Sequence, residues 1–311
     1  MSRNTFSIRG VLLGLSLGVN AGLAFVLIGS ALRAERMEPP PATVGEPEHP
    51  PEYYETFELL YIVEDRQGDA CPLKFATPFG FFFGPAGQEH DMLQLVYEQT
   101  SERSADAYEA GPVFIRRGDI VLDAGAHLGV FTRIALNHGA GKVVAFEPQP
   151  ACIPCFRKTF AKEIASGKVV LVEKAVWEAT GKLHFRDDGL DFRADEANAG
   201  PDGEARSAGV EVAATTIDET VRELGLPRVD FIKMDIEGSE RYALRGAKDT
   251  LARFAPMMAM SGYHKPDDRE VLPKVALQYQ PNYQVVIGEL PRPLPGEPRW
   301  GGLIYFFKKE P

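Results

Sequence analysis

The stretch Val121-Leu122-Asp123-Ala124-Gly125-Ala126-His127-Leu128-Gly129 decides the fold. A short apolar run ends in an acid, and a glycine turn leads into an amphipathic segment, Val130 to His138. Glycines at such a turn let the backbone pass close to a ligand with no Cβ in the way. The helix that follows offers free N–H groups at its start. Eighteen residues beyond Gly129 a second apolar run closes on Phe146-Glu147-Pro148. An acid at that place can accept hydrogen bonds from both hydroxyls of a ribose.

The spacing discriminates between ligands. A dinucleotide site calls for G-x-G-x-x-G, whereas here it is Asp123-x-Gly125-x-x-x-Gly129. A carboxylate directly ahead of the turn would repel a pyrophosphate. It suits a ligand with a cationic amino group, such as the methionine part of S-adenosylmethionine.

Outward from this turn, short β-branched runs alternate with amphipathic stretches, the signature of a parallel sheet with crossover helices. Strands are expected at Ile120–Asp123, Lys142–Glu147, Val169–Ala175, Val229–Asp235, Met257–Gly262, Gln284–Glu289 and Leu303–Lys308. A short extra strand is expected at Leu183–Arg186. Helices are expected at Val130–His138, Cys152–Ile164, Ile217–Leu224, Ser239–Phe254 and Asp268–Tyr279. Thr216 and Glu219 carry the spacing of a capping box, so Glu219 is assigned a structural role. Asp187 to Gly209, rich in Asp, Glu, Gly and Ala, reads as an acidic surface loop.

The fourth strand leads into Ile232-Lys233-Met234-Asp235-Ile236-Glu237-Gly238-Ser239-Glu240. Alternation places Lys233, Asp235 and Glu237 on one face, at the end of a central strand where open α/β sheets bind ligands. A structural Lys–Asp ion pair is the alternative, since buried charges need partners. Glu240 is read as serving only the first helical turn, favoured by the dipole.

Taken in order, the Asp123–Gly129 turn, Glu147-Pro148, Thr216-Ile217-Asp218 and the Ile232–Glu240 block resemble the FkbM family of S-adenosylmethionine-dependent methyltransferases, over roughly Val113 to Phe307. The resemblance implies a class I, Rossmann-like, doubly wound, mostly parallel seven-stranded sheet with an antiparallel last strand. It implies O-methylation of a hydroxyl on a sugar, a lipid-linked glycan or a natural product. Asp123, Gly125, Gly129 and Glu147 would hold the cofactor, and Ala126 and His127 in the turn, with Ala175 and Val176 at the end of the third strand, are assigned to the same cofactor site. Asp235 and Glu237 would lie by the acceptor, with Lys233 beside them.

A methyl acceptor must lose a proton. His264, after the fifth strand, is the first candidate base, because an imidazole titrates near neutrality; a plain surface histidine is the alternative. Asp235 is the second candidate. It could instead bind Mg²⁺ with Glu237, since hard oxygen ligands suit that ion, although the favoured reading has no metal. Ser261-Gly262-Tyr263-His264 departs from the family, which often carries an acid near the histidine.

Composition excludes other classes. With 34 Lys+Arg against 44 Asp+Glu, a net charge of -10, the chain lacks the basic balance of a nucleic-acid binder. Three cysteines cannot form a disulfide framework, and one must stay unpaired. Cys152-Ile153-Pro154-Cys155 has the form of a thiol–disulfide exchanger, but is read as ordinary helix. Two rival functions are an NAD-dependent oxidoreductase or epimerase and a non-catalytic, membrane-tethered binding module.

The first fifty residues stand apart. Gly10 to Leu32 holds 23 residues without a charge, long enough as a helix to span a bilayer. This favours a retained anchor over a cleaved signal peptide. Gly10, Gly14, Gly18 and Gly22 share one face, spacing that can pair two such helices as a homodimer. Met37 to Glu52 is rich in proline and reads as an extended spacer. The expected division is a tail over 1–9, an anchor over 10–33, a Pro-rich linker over 34–52, an N-terminal extension over 53–117 with a helix at Met92–Gln99, and a methyltransferase domain over 118–311. A domain using S-adenosylmethionine should face the cytosol, although Arg3 and Arg9 lean weakly the other way.

Overall fold

The glycine turn is placed by a central parallel strand. The computed structural model describes residues 34–35, 61–64, 69–77, 79–86, 108–188, 191–194, 210–288 and 302–308. In chain order come β1 (Ala34–Glu35), β2 (Tyr61–Glu64), β3 (Leu73–Thr77), β4 (Gly80–Gly84), β5 (Ile120–Ala124), α1 (Val130–Asn137) and β6 (Lys142–Phe146). Next are α2 (Ile153–Thr159), α3 (Ala161–Ala165), β7 (Val169–Val172), β8 (Ala175–Val176), β9 (Gly181–Asp188), β10 (Asp191–Ala194) and β11 (Val210–Thr215). The rest are α4 (Ile217–Glu223), β12 (Phe231–Met234), α5 (Glu240–Arg245), α6 (Lys248–Phe254), β13 (Met257–Ser261), α7 (Asp268–Tyr279), β14 (Tyr283–Ile287) and β15 (Leu303–Lys308).

Seven strands form the main sheet in the order β14-β15-β13-β12-β5-β6-β7. The pairs β13–β12, β12–β5, β5–β6 and β6–β7 are parallel, and β15 runs antiparallel to both its neighbours. Helices cover both faces, so the strands carry near-continuous apolar runs. One core contains Val121, Val143, Phe131 and Phe156, and the other contains Leu122, Val144, Ile232 and Met258. The strand order reverses between β5 and β12, the crevice where such sheets bind ligands. This is the class I, Rossmann-like arrangement.

Local sequence explains the element ends. Thr216 caps α4, its hydroxyl accepting from Glu219 N at 2.9 Å. Only this half of the expected capping box forms, because the Glu219 carboxylate turns to Arg222. Ser239–Phe254 is two helices, α5 and α6, broken at Gly246-Ala247. A Cβ on Gly246 would lie 2.2 Å from Trp177 O; the break lets the chain pass that carbonyl. The expected Cys152–Ile164 helix is likewise divided, at Phe160.

A second sheet, β10-β9-β11-β8, stands beside the first. It corrects two expectations. Residues 181–188 and 191–194 form a hairpin where an acidic loop was expected from Asp187, and the expected Val169–Ala175 strand gives its end to this sheet as β8. Alternation of Val210, Val212 and Ala214 against Leu183 and Phe185 provides its small core. Residues 195–209 lie outside the described residues.

The N-terminal extension contributes a third sheet, β1-β2-β3-β4, which the sequence reading did not assign. Ala34–Glu35 falls at the start of the segment read as linker and pairs with β2. Phe75 and Phe82 are fully buried with Phe131, Phe156 and Phe160, burial worth ~1.5–3 kcal/mol for each ring. Cys71 and Cys155 form a disulfide between this extension and α2. Cys155 is therefore not an ordinary helix residue, and the C-x-P-C pair is not the bonded one. Cys152 is a buried thiol that donates to Gln149 Oε1 at 3.2 Å. No helix among the described residues is long and apolar enough to cross a membrane. The apolar run 10–32 and the helix expected at Met92–Gln99 lie outside the described residues.

Candidate functional site

The turn after β5 is built around two glycines in the left-handed region. Gly125 has φ +79°, and a Cβ there would lie 1.8 Å from Asp235 O. Gly129 has φ +91°, and its Cβ would strike the Phe160 ring. The turn can therefore be this tight only with glycine at both places, and its tightness presses it against the end of β12.

Asp123 and Lys233 hold the turn from beneath. Asp123 Oδ2 accepts from Thr132 Oγ1 at 2.6 Å, and Oδ1 lies 3.3 Å from Lys233 Nζ. Lys233 Nζ also donates to Gly125 O at 2.6 Å and to Ala124 O at 3.3 Å. Both side chains are shut off from solvent. The ion pair anticipated as the structural alternative is thus Lys233 with Asp123. Lys233, placed among the catalytic candidates, cannot touch an acceptor from there, and the Asp123 carboxylate is engaged within the protein.

Glu147 follows β6 and is 5% exposed. Its Oε2 accepts from His127 N at 2.6 Å and its Oε1 from Gln149 N at 2.7 Å. Burial outweighs these bonds and pushes its pKa up to about 7. His127, at φ +49°, has both ring nitrogens sealed from solvent and without a hydrogen-bond partner among the described residues. Burial, assisted by Lys233, pulls its pKa down to about 4, so the ring is neutral. Ala175 and Val176 are buried in β8, paired with Ala214 and Thr215 of β11. Their side chains serve packing.

Across the crevice, Asp235, Glu237 and His264 come together. Glu237 is left-handed at φ +54°, and Gly238 follows at φ +90°. This turn carries Glu237 towards the segment after β13. His264 Nε2 lies 3.5 Å from Asp235 Oδ1 and 3.6 Å from Glu237 Oε2. His264 Nδ1 lies 3.0 Å from Glu240 Oε1, which also accepts from Ile236 N at 2.9 Å. Burial opposes the charge on His264, but Glu240, then Asp235 and Glu237, overcome it and push the pKa up to about 10. The expectation that His264 titrates near neutrality does not hold, because three carboxylates surround it. Asp235 suffers burial too, yet Lys233, His264 and two hydroxyls keep its pKa below the usual carboxylate value.

Three contributors escaped the sequence reading. Tyr108, from the extension, donates to Asp235 Oδ2 at 2.8 Å, and Ser261 donates to Oδ1 at 2.9 Å. Glu240 is fully buried against His264 rather than merely serving a helix start. Tyr108 had no local signal, since 127 residues separate it from Asp235. Ser261 and Glu240 both sat inside motifs already singled out.

A glycine turn after β5, a buried acid after β6 and a carboxylate–imidazole cluster after β12 and β13 thus stand together at the carboxyl ends of a class I, Rossmann-like sheet. The family described as the methyltransferase FkbM domain matches residues 123–285, just over half of the chain, and the chain belongs to that family, whose members are S-adenosylmethionine-dependent methyltransferases. Among its relatives is the 31-O-demethyl-FK506 methyltransferase FkbM of Streptomyces tacrolimicus, 26% identical over 162 residues, which are 44% of this chain and 62% of the relative. Methyltransferase sdnD of Sordaria araneosa is 25% identical over 156 residues, 42% of this chain and 60% of the relative. The match therefore spans about three fifths of these relatives. A solved structure of methyltransferase FkbM from Methylobacillus flagellatus KT is similar at 20% identity and a TM-score of 0.49, covering 69% of this chain and 50% of that one. The oxidoreductase and silent-module alternatives draw no support from these matches.

Proposed function

We propose that this chain transfers a methyl group from S-adenosylmethionine to a hydroxyl oxygen. The observation that carries the reading is the contact of the glycine turn with the end of β12: Gly125 abuts the Asp235 backbone. It sets a cofactor cradle directly beside a polar cluster.

The residues fit the cofactor. Glu147 is a buried carboxylate held by two backbone amides, with lone pairs left for the hydroxyls of a ribose. His127 offers one ring donor and one ring acceptor that no described residue satisfies. The turn at Gly125 leaves backbone where a side chain would stand. When bound, the cofactor supplies an electrophilic methyl on a sulfonium. The rest falls to the protein. Asp235, ionised and held by Tyr108 and Ser261, accepts the hydrogen bond of the acceptor hydroxyl and aligns its oxygen. His264 is charged in the ligand-free chain, so it stabilises Asp235 and Glu237 rather than acting directly as a base.

The acceptor class follows the resemblance and the relatives, of which one is named as a 31-O-demethyl-FK506 methyltransferase: a hydroxyl on a sugar, a lipid-linked glycan or a natural product. Incubation with methyl-labelled cofactor and a panel of these acceptors tests the reading. Label should appear in an ether, and Asp235→Ala should lower turnover by ~100-fold or more. A chain that binds no S-adenosylhomocysteine in calorimetry would end it.

We also propose that residues 10–33 anchor the chain, with the domain facing the cytosol, where the cofactor is made, and that the glycine face pairs two anchors. The Cys71–Cys155 disulfide pulls against this orientation, because disulfides persist mainly in oxidising compartments.

A further inference from the structure

Asp235, Glu237 and His264 each offer one ligating atom, and these atoms lie within 4.8 Å of one another. The separations from His264 Nε2 are 3.5 Å to Asp235 Oδ1 and 3.6 Å to Glu237 Oε2. Ligands ~2.1 Å from one ion stand ~3.0 Å apart at a right angle and ~3.4 Å apart at a tetrahedral one. A contraction of a few tenths of an ångström would give each of the two separations from Nε2 the spacing of neighbouring ligands on one ion.

The histidine is set for this. Its Nδ1 faces Glu240 Oε1 at 3.0 Å, which directs Nε2 at the other two carboxylates. A carboxylate behind the distal nitrogen is the usual support of a metal-ligating histidine, fixing the tautomer and raising ligand basicity. A second observation is independent of that geometry. Glu240 is fully buried, and its Oε2 has no hydrogen-bond partner among the described residues. A buried carboxylate left partly unsatisfied is costly unless positive charge stands near it. Lys233 is held by Asp123 and the β5 turn, and Arg241 Nη2 by Asp267 and Asp268, so the charge facing Glu240 is that of the His264 imidazolium, whose Nε2 proton a bound dication would displace. Three carboxylates therefore converge on one imidazole.

We propose that Asp235 Oδ1, Glu237 Oε2 and His264 Nε2 bind a divalent first-row transition ion, with Glu240 as the positioning residue behind the histidine. The imidazole separates this class from Mg²⁺, which prefers all-oxygen shells and its own waters. The hydroxyls of Tyr108 and Ser261 on Asp235 are outer support for the same ligand. Three protein ligands leave open positions for water or an acceptor oxygen. Polarising that oxygen is the role we assign to the ion; that role, unlike the binding, rests on the methyl-transfer reading.

The test uses the full chain without an affinity tag, stripped with chelator and free of cofactor. Mn²⁺ is titrated in and the free ion followed by electron paramagnetic resonance. One Mn²⁺ per chain is expected, displaced by Zn²⁺ but not by equal Mg²⁺. Glu237→Gln alters a partly exposed side chain, so folding should survive, and binding should weaken by at least ~10-fold. Glu240→Gln, which touches no ion, should weaken it ~10–100-fold. Absence of saturable Mn²⁺ or Zn²⁺ binding up to ~1 mM would overturn the site, as would binding unchanged in both Glu237→Gln and Asp235→Asn. S-adenosylhomocysteine binding measured on the same samples keeps the two claims apart. Cofactor binding without metal removes only the metal site, and metal binding without cofactor removes only methyl transfer.

Discussion

At the scale of single residues the site is governed by where charge is buried. Glu147 keeps a raised pKa of about 7 because burial outweighs the amides that favour its ionised form. In the folded, ligand-free chain it holds its proton up to about pH 7, whereas in the unfolded chain it loses it near the ordinary glutamate value of 4.5. The folded state thus binds more protons over this window, and the stability Glu147 contributes is full below it and lost as pH rises through it. Ribose hydroxyls donate to the ionised form, so affinity for S-adenosylhomocysteine should rise between about pH 6 and pH 8. Calorimetry across that range should show the rise in the wild type and a flat profile in Glu147→Gln. The melting temperature of the wild type relative to this variant should fall between about pH 4.5 and pH 7 and level off above.

Lys233 and Asp123 make the opposite point. Each is buried, and each neutralises the other. Lys233→Met would strand the carboxylate and should cost ~3–5 kcal/mol in urea unfolding, while adding Asp123→Asn should recover part of the loss. An additive double variant would show that the pair is not coupled. The sequence placed both residues at the site, because charges at the carboxyl ends of central strands are conspicuous. It could not say that one pair faces inward and that Asp235 and Glu237 face the crevice. Strand alternation puts Lys233 and Asp235 on one side, but β12 ends at Met234, and the left-handed turn at Glu237 then sets a direction of its own.

At the scale of elements, period and punctuation revealed the core strands and their helices. All seven main-sheet strands were legible, since buried parallel strands are continuous apolar runs ended by turns. The errors lie where a neighbour outvotes local pattern. Val169–Ala175 reads as one strand, yet β8 leaves to pair with β11. The acidic residues of 187–194 read as loop, yet pair as a hairpin, because backbone hydrogen bonds need no apolar side chains.

The disulfide is also an element-scale feature, tying the extension to α2 across 84 residues of sequence. Closing a loop of that length restricts the unfolded chain, and native disulfides of this kind contribute ~2–4 kcal/mol. Dithiothreitol should therefore lower the melting temperature of the wild type and leave the Cys71→Ser/Cys155→Ser double variant unmoved. An equal response in both would show that the bond does not form.

At the scale of the whole molecule, cofactor supply and thiol chemistry make opposing demands on the side of the membrane to which the proposed anchor would bring the domain. Protease protection of intact vesicles reads the outcome directly. A cytosolic domain is digested without detergent, and the methyl-transfer proposal expects this result. A protected domain with both cysteines resistant to alkylation would place the disulfide in an oxidising compartment and count against methyl transfer.

The sequence by itself determined the sheet, the glycine turn and the acids at the strand ends, because periodicity and glycine conformation act within a few residues. Only the tertiary structure decided which charges meet. Asp235 acquires Tyr108 from 127 residues away, His264 acquires Glu240, and Cys155 acquires Cys71. Such partners are chosen by the packing of sheets and helices against one another, and no local spacing records that choice.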